Sequence, residues 1–385
     1  MRVVFATGIY PPEIGGPATY VKNLATALHE GGHEVEVVTY GPGPEQDAFP
    51  VRRVPRRGTV ALRYSRYLLA VRAAALRAGV VYLQDPLSAG LPGIVAARMA
   101  RVPAVVKVVG DAAWEVATGA GWVSDEFEDF QARAYGPRVE LTRRAQRWVV
   151  KQADAIVVPS QYLRRAVAGW GVSAERLHVI PNSVPEDAAP AIDRAAARRE
   201  LGIPDPALVA LSAGRLVPWK GFDLLIRTVA ALRPRLPELR AVVVGAGPSL
   251  DALRELARAL GVSDAVTFTG GVARDRFRTY LHASDVFVLL SRYEGFPHVV
   301  LEAMQAGTPV LAAAAGGTPE LVEDRRSGRL VDVSEPRRVE EVLAELCGDA
   351  AQRRRLADEA RRRLATLPWE ATVARTLAVL EGVAR

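Results

Sequence analysis

The chain has 385 residues, of which 49% are hydrophobic and 24% charged, with a formal net charge of +7. That length exceeds one ordinary core and implies two domains of about 100–200 residues each. The composition excludes a disordered or fibrous chain, no apolar run reaches the ~20 residues that span a bilayer, and a single cysteine, Cys347, excludes an internal disulfide framework.

In chain order, Arg2–Ala6 reads as a strand, and Ala18–Glu30 as a helix with Tyr20, Val21, Leu24 and Leu28 at core spacing. The opening Met1–Gly8 fits a strand and a turn rather than a signal peptide, so cytoplasmic residence is expected. Gly15-Gly16, just before that helix, either lets backbone approach a ligand or makes a plain strand-to-helix turn. Gly31-Gly32 stops the helix, and Glu34–Tyr40 is the next strand.

Between Asp47 and Asp85 there are eight arginines and no acid, the first at Arg52 and the last at Arg77. Val60–Ala78 within this stretch has helical periodicity, with Leu62, Tyr67, Leu68, Val71, Ala75 and Leu76 interleaved. It is either a solvated surface helix or a basic amphipathic helix able to lie on an anionic membrane or grip an acidic acceptor. No nucleic-acid-binding motif accompanies the charge, so nucleic acid is not expected as a partner.

Val80–Leu83, Ala104–Val109 and Ala155–Val158 are further strand-like runs, followed in the second half by Leu208–Ala213, Ala241–Val244, Ala265–Phe268, Val286–Leu290 and Pro309–Ala312. Strands alternating with helices imply two doubly wound parallel sheets, and ligands of such sheets bind outside the carboxyl ends of the strands. The proline-rich span Val179–Pro190 reads as the linker, with a boundary near Glu186. The expected domains are 1–186 plus 369–385, and 187–368. Trp369–Arg385 reads as a final helix, and Cys347, among Val342, Leu343 and Leu346, as a buried thiol.

The loops after strands carry the unusual residues. Gly214–Gly221 holds Arg215 and Lys220 around a Pro-Trp turn, either surface charges or a fork and a point charge converging on a diphosphate. Gly245-Ala-Gly247 looks like half of a dinucleotide fingerprint, but Leu250 replaces the third glycine, and a tight turn over a nucleotide is equally consistent. Glu294-Gly-Phe-Pro-His-Val-Val-Leu-Glu302 places two carboxylates eight positions apart, Glu294 on a loop and Glu302 on the helix that Pro297 opens and Gly307 ends. N–H groups at a helix start favour phosphate, and a carboxylate accepts from neighbouring hydroxyls, so this stretch suits a sugar attached to a nucleotide diphosphate. Asp111 follows the Ala104–Val109 strand as a candidate acceptor contact, Trp114 either stacks on a sugar or packs, and Asn182 reads as a turn residue. Neither a metal-binding histidine pair nor an Asp-x-Asp is present, so no metal or other cofactor is expected.

Taken together, Tyr10-Pro-Pro, Gly15-Gly16, Gly31-Gly-His, Ile180-Pro-Asn182, Gly214-Arg215 with Lys220-Gly221, the Glu294/Glu302 pair, Gly307-Thr-Pro-Val and Gly316-Gly-Thr-Pro-Glu320 resemble, from end to end, the retaining GT-B glycosyltransferases of family 4. The resemblance implies two Rossmann-like domains facing across a cleft, the first for the acceptor and the second for the donor, with the last helix crossing back to the first. It implies retaining transfer of a hexose from a nucleotide diphosphate sugar to a glycan, lipid-linked or small-molecule hydroxyl. Arg215 and Lys220 would hold the diphosphate, Glu302 the ribose hydroxyls, and Glu294 the donor sugar alongside Phe296, Pro297 and His298. Gly16 would offer its N–H to phosphate. Relatives often carry His-Gly where Val109-Gly110-Asp111 stands, and Asp111 would partly substitute. UDP and GDP remain equal as donors. A sugar-nucleotide epimerase and a non-catalytic glycan-binding subunit are the rival readings; the missing acid/base pair and Leu250 disfavour a dehydrogenase.

Overall fold

The computed structural model describes residues 1–43, 47–186 and 192–384. The chain divides into two compact units, Met1–Pro185 with Trp369–Arg385, and Glu186–Pro368. Part of the expected linker, 187–190, lies outside the described residues; Ile180–Glu186 has no regular structure.

The first unit is built on β1 (Arg2–Thr7), β2 (Glu34–Tyr40), β3 (Val51–Val54), β4 (Val80–Leu83), β5 (Ala104–Lys107), β6 (Ala155–Val158) and β7 (Leu177–Val179). They form one sheet in the order β3-β2-β1-β4-β5-β6-β7, all pairs parallel. Its helices are α1 (Gly16–Glu30), α2 (Val60–Ala75), α3 (Gly90–Ala100), α4 (Ala112–Gly119), α5 (Phe127–Ala132), α6 (Pro137–Gln152) and α7 (Gln161–Ala168). Helices on both faces explain why β4 and β6 are buried along their whole length and read as continuous Val/Ile/Leu-rich runs.

The second unit contains β8 (Leu208–Ala213), β9 (Leu239–Val244), β10 (Val266–Gly270), β11 (Val286–Leu289), β12 (Val310–Ala313) and β13 (Arg329–Val331). Their order is β10-β9-β8-β11-β12-β13, again parallel throughout. Around it lie α8 (Arg194–Leu201), α9 (Phe222–Leu232), α10 (Leu250–Ala259), α11 (Arg274–Ala283), α12 (His298–Ala306), α13 (Thr318–Leu321), α14 (Pro336–Gly348) and α15 (Ala350–Leu364). Cys347 is buried in this unit's core beside Leu343 and Leu346. Burial pushes its thiol up to about 12.

The last helix, α16 (Trp369–Val383), returns to the first unit. Trp369 meets the Tyr20 ring edge-on at 6.2 Å, Thr372 Oγ1 donates to the Pro181 carbonyl at 3.1 Å, and Leu380 is fully buried. The architecture is the expected pair of Rossmann-like domains. Three short strands go beyond the expectation: β3, where Arg52 and Arg53 hide an edge strand, and β7 and β13, each three residues long.

Candidate functional site

The loops that leave the carboxyl ends of β8, β9, β11 and β12 lock together through their backbones. The β8 loop comes first. Gly214 N–H donates to the Val244 carbonyl, Leu216 N–H to that of Ala246, and Ser249 N–H to that of Leu216, each at 3.0 Å. Gly245, at φ +139°, lies so close that a Cβ there would sit 1.9 Å from the Gly214 carbonyl oxygen; one on Gly247 would sit 2.3 Å from that of Leu216. These two glycines serve the meeting of the β8 and β9 loops, which accounts for half a dinucleotide fingerprint without a dinucleotide.

Past a short turn over Pro218–Lys220, Gly221 adopts a left-handed φ of +70°, and its Cα lies against the Leu290 carbonyl at the end of β11. The next residues on that side return the contact. Arg292 N–H donates to the Trp219 carbonyl at 2.8 Å, and its guanidinium to that of Pro218 at 3.3 Å. With both loops fixed, Lys220 Nζ reaches Glu294 Oε1 at 2.6 Å, and their side chains are 20% and 9% exposed. The turn after β12 closes the other flank: Gly317 N–H donates to the Glu294 carbonyl at 2.8 Å, and Gly316 sits at φ +61°, too close to that carbonyl for a Cβ.

α12 starts one residue later than expected. Pro297 is its N-cap, no side chain caps the start, and Gly307 ends it at φ +75°. Phe296 and Pro297 are buried, while His298 and Glu302 are half-buried. Four residues separate His298 from Glu302, which puts them on one helix face a turn apart. Arg215 is exposed on the same loop as Lys220. The second unit therefore joins Lys220 to Glu294 through interlocked loops; Arg215 shares the Lys220 loop, Phe296 and Pro297 follow Glu294 in the chain, and His298 and Glu302 lie on α12.

Gly16 and Asp111 belong to the first unit. Gly16 is the first residue of α1, a 15-residue helix with no side-chain cap. Asp111 is the N-cap of α4, accepting from the N–H groups of Ala113 and Trp114, both at 3.0 Å. Its two oxygens also accept from Gln131 Nε2 at 2.8 Å and Gln146 Nε2 at 2.9 Å. A buried carboxylate with these four donors orders a loop and has little capacity left for a substrate. Trp114 is buried and donates to the Asp125 carbonyl at 3.0 Å, so it packs. Asn182 does more than shape a turn: its Oδ1 accepts from Lys107 Nζ at 2.9 Å. Lys107 is fully buried with its amine 3.3 Å from the Tyr20 ring centroid, and burial pushes that amine well below the ordinary lysine range. The sequence signal for this residue is a lysine closing an otherwise apolar strand, Ala-Val-Val-Lys. Among the described residues no group of three or more His, Cys, Asp or Glu side chains is placed to hold a metal.

The fold and these loops define a GT-B protein. Anabaena HepE, solved with UDP and glucose, superposes with a TM-score of 0.80 over 99% of each chain at 23% identity, a likeness of fold. Residues 193–363 match the glycosyl transferases group 1 family and residues 15–183 the glycosyl transferase 4-like domain. A D-inositol 3-phosphate glycosyltransferase of Stackebrandtia nassauensis is 33% identical over 388 residues, covering 94% of this chain and 85% of that one. Its counterpart from Streptomyces coelicolor is 39% identical over 221 residues, and that match spans only 48% of the relative's length. The chain belongs to the family 4 glycosyl transferases, the group 1 family.

Proposed function

We propose that this protein transfers a hexose from a nucleotide diphosphate sugar to a hydroxyl acceptor, with retention at the anomeric carbon and without a metal. The observation that carries the reading is the Lys220–Glu294 pair, held at 2.6 Å on loops that backbone contacts fix at the carboxyl ends of β8 and β11. Family membership sets the reaction class.

In the donor-bound state, Lys220 and Arg215 neutralise the diphosphate, Glu294 and Glu302 accept from sugar and ribose hydroxyls, and the N–H groups at the start of α12 lie beside Glu294. Gly16 keeps the role that the family resemblance implies, an N–H for donor phosphate. The bond from the anomeric carbon to the phosphate oxygen breaks, and its electron pair goes to the diphosphate. The acceptor oxygen bonds to the same carbon on the same face, and its proton goes to a departing phosphate oxygen. Stabilising that departing charge is the catalytic work of the two cations. Asp111 is a positioning residue here, since its carboxylate caps α4.

No helix among the described residues is long and apolar enough to cross a membrane. The reading places the enzyme in the cytoplasm, with the basic 52–77 segment in contact with an anionic membrane and a glycan, lipid-linked or small-molecule acceptor. A thermal-shift screen of UDP- and GDP-sugars, followed by product analysis with and without acceptors, tests the proposal. Stabilisation by a nucleotide sugar and acceptor-dependent release of the nucleotide support it. Conversion of the donor sugar without any acceptor indicates an epimerase.

A further inference from the structure

We infer that the outer face of the α2–α3–α6 layer in the first unit is a docking surface for anionic lipid. This rests on the membrane contact proposed for the 52–77 segment and names its full extent; it does not depend on the transferase chemistry.

α3 packs between α2 and α6. α2 turns Tyr67, Val71 and Ala74 to the core. Leu62, Leu69 and, at its C-cap, Leu76 recur every seven residues on the opposite side, 43%, 60% and 61% exposed. Seven residues are nearly two helical turns, so the three leucines form one ridge pointing away from the sheet. α6 repeats the pattern: Val139, Arg143, Gln146 and Val150 face inward. Leu141 and Trp148, seven apart, stand outward, 69% and 42% exposed. Met99 of α3 is exposed between these ridges. Eleven large apolar side chains are exposed among the described residues, and seven of them stand on or at the end of these three helices; the second unit has one, Leu260.

Charge follows the same face. The three helices carry nine Lys and Arg against one carboxylate, Glu140, a formal +8 where the whole chain is +7. Glu140 itself pairs with Arg143 at 2.8 Å. Surface helices of soluble domains turn their apolar ridge inward; here there is one on each side. A second copy of the same face would set two strongly positive surfaces against each other. A bilayer with anionic headgroups supplies both complements: phosphates for the arginines flanking each ridge, and hydrocarbon for the leucines. Trp148 suits the headgroup level.

The test is co-sedimentation of the full chain, without substrate, with vesicles of phosphatidylcholine alone or mixed with phosphatidylglycerol. Wild type should pellet with the anionic vesicles only, and less as salt rises. R66Q/R77Q/R144Q/K151Q should lower the partition coefficient by about a thousandfold, taking each cation near the surface as worth about fivefold. L62S/L69S/L76S/L141S, with charge intact, should lower it by more than about tenfold. All eight side chains are outside the core, and thermal melts should match wild type. L260S, in the second unit, should change nothing. The inference is overturned if wild type ignores anionic vesicles at low salt. Binding that the leucine variant retains in full also overturns it, because the face would then be only a charged surface. So does a concentration-dependent dimer that the leucine variant abolishes.

Discussion

Replacing Lys220 by Met separates the two jobs assigned to it. In the protein as described, its ammonium is 2.6 Å from a Glu294 carboxylate that is 9% exposed, while its own side chain is 20% exposed. Breaking a fully buried pair costs about 3–5 kcal/mol because a lone charge remains, and the partial solvent access here scales that down to about 1–2 kcal/mol. The catalytic loss is larger: one missing electrostatic donor to developing charge costs about 3–4 kcal/mol, a factor of about 10²–10³ in kcat. K220M/E294Q removes the stranded carboxylate and should recover most of the stability and none of the activity. Urea unfolding and steady-state transfer rates on wild type, both single variants and the double variant measure this cycle. Near-normal kcat in K220M refutes the diphosphate role. A double variant no more stable than K220M refutes the account of the pair.

Gly316→Ala should lose more than the about 1–2 kcal/mol that a left-handed residue costs, and should lower transfer, because its Cβ would press on the Glu294 carbonyl. Gly261→Ala, at φ +69° with open space around it, should show only the backbone cost; equal effects in urea unfolding and activity would contradict the interlocked loops. Asp111→Asn retains a capping oxygen, so kcat should stay within a few-fold of wild type; a thousandfold loss at native stability would restore a catalytic role. Lys107 has a depressed amine in the fold, so between its folded-state value and the ordinary lysine value the unfolded chain binds the extra proton. Stability relative to Lys107→Met should therefore rise with pH from the folded-state value up to the ordinary lysine value, and level off above it. Denaturation midpoints across pH 7 to 10 read this out, and a flat or falling difference would contradict the burial argument.

Much of this was legible because parallel sheets write themselves plainly. Runs such as Val80–Leu83 and Ala155–Val158 are buried on both faces and leave no polar alternation to confuse them. The meeting of Lys220 and Glu294, 74 positions apart, was legible because each lies on a loop that follows a strand, where this fold gathers its loops. Asp111 follows a strand too, but its capping network could not be read from the sequence. Gln131 and Gln146 converge on it from 20 and 35 positions away, and nothing local in the sequence announces them. The role of Gly245 and Gly247 was hidden for a related reason: a glycine needed for backbone-to-backbone approach looks the same in sequence as one needed beneath a phosphate. The basic 60–78 stretch was legible as helix, but its outward leucines gain meaning only beside Met99, Leu141 and Trp148 on neighbouring helices.

The central claim is that paired cations of the second unit hold the donor diphosphate while paired acids hold its hydroxyls. A crystal structure with the nucleotide sugar that most raises the melting temperature tests it most directly. The account predicts diphosphate oxygens within hydrogen-bond reach of Lys220 and Arg215, and sugar and ribose hydroxyls on Glu294 and Glu302. A diphosphate bound away from the Lys220 loop, or one held through a metal ion, would contradict it.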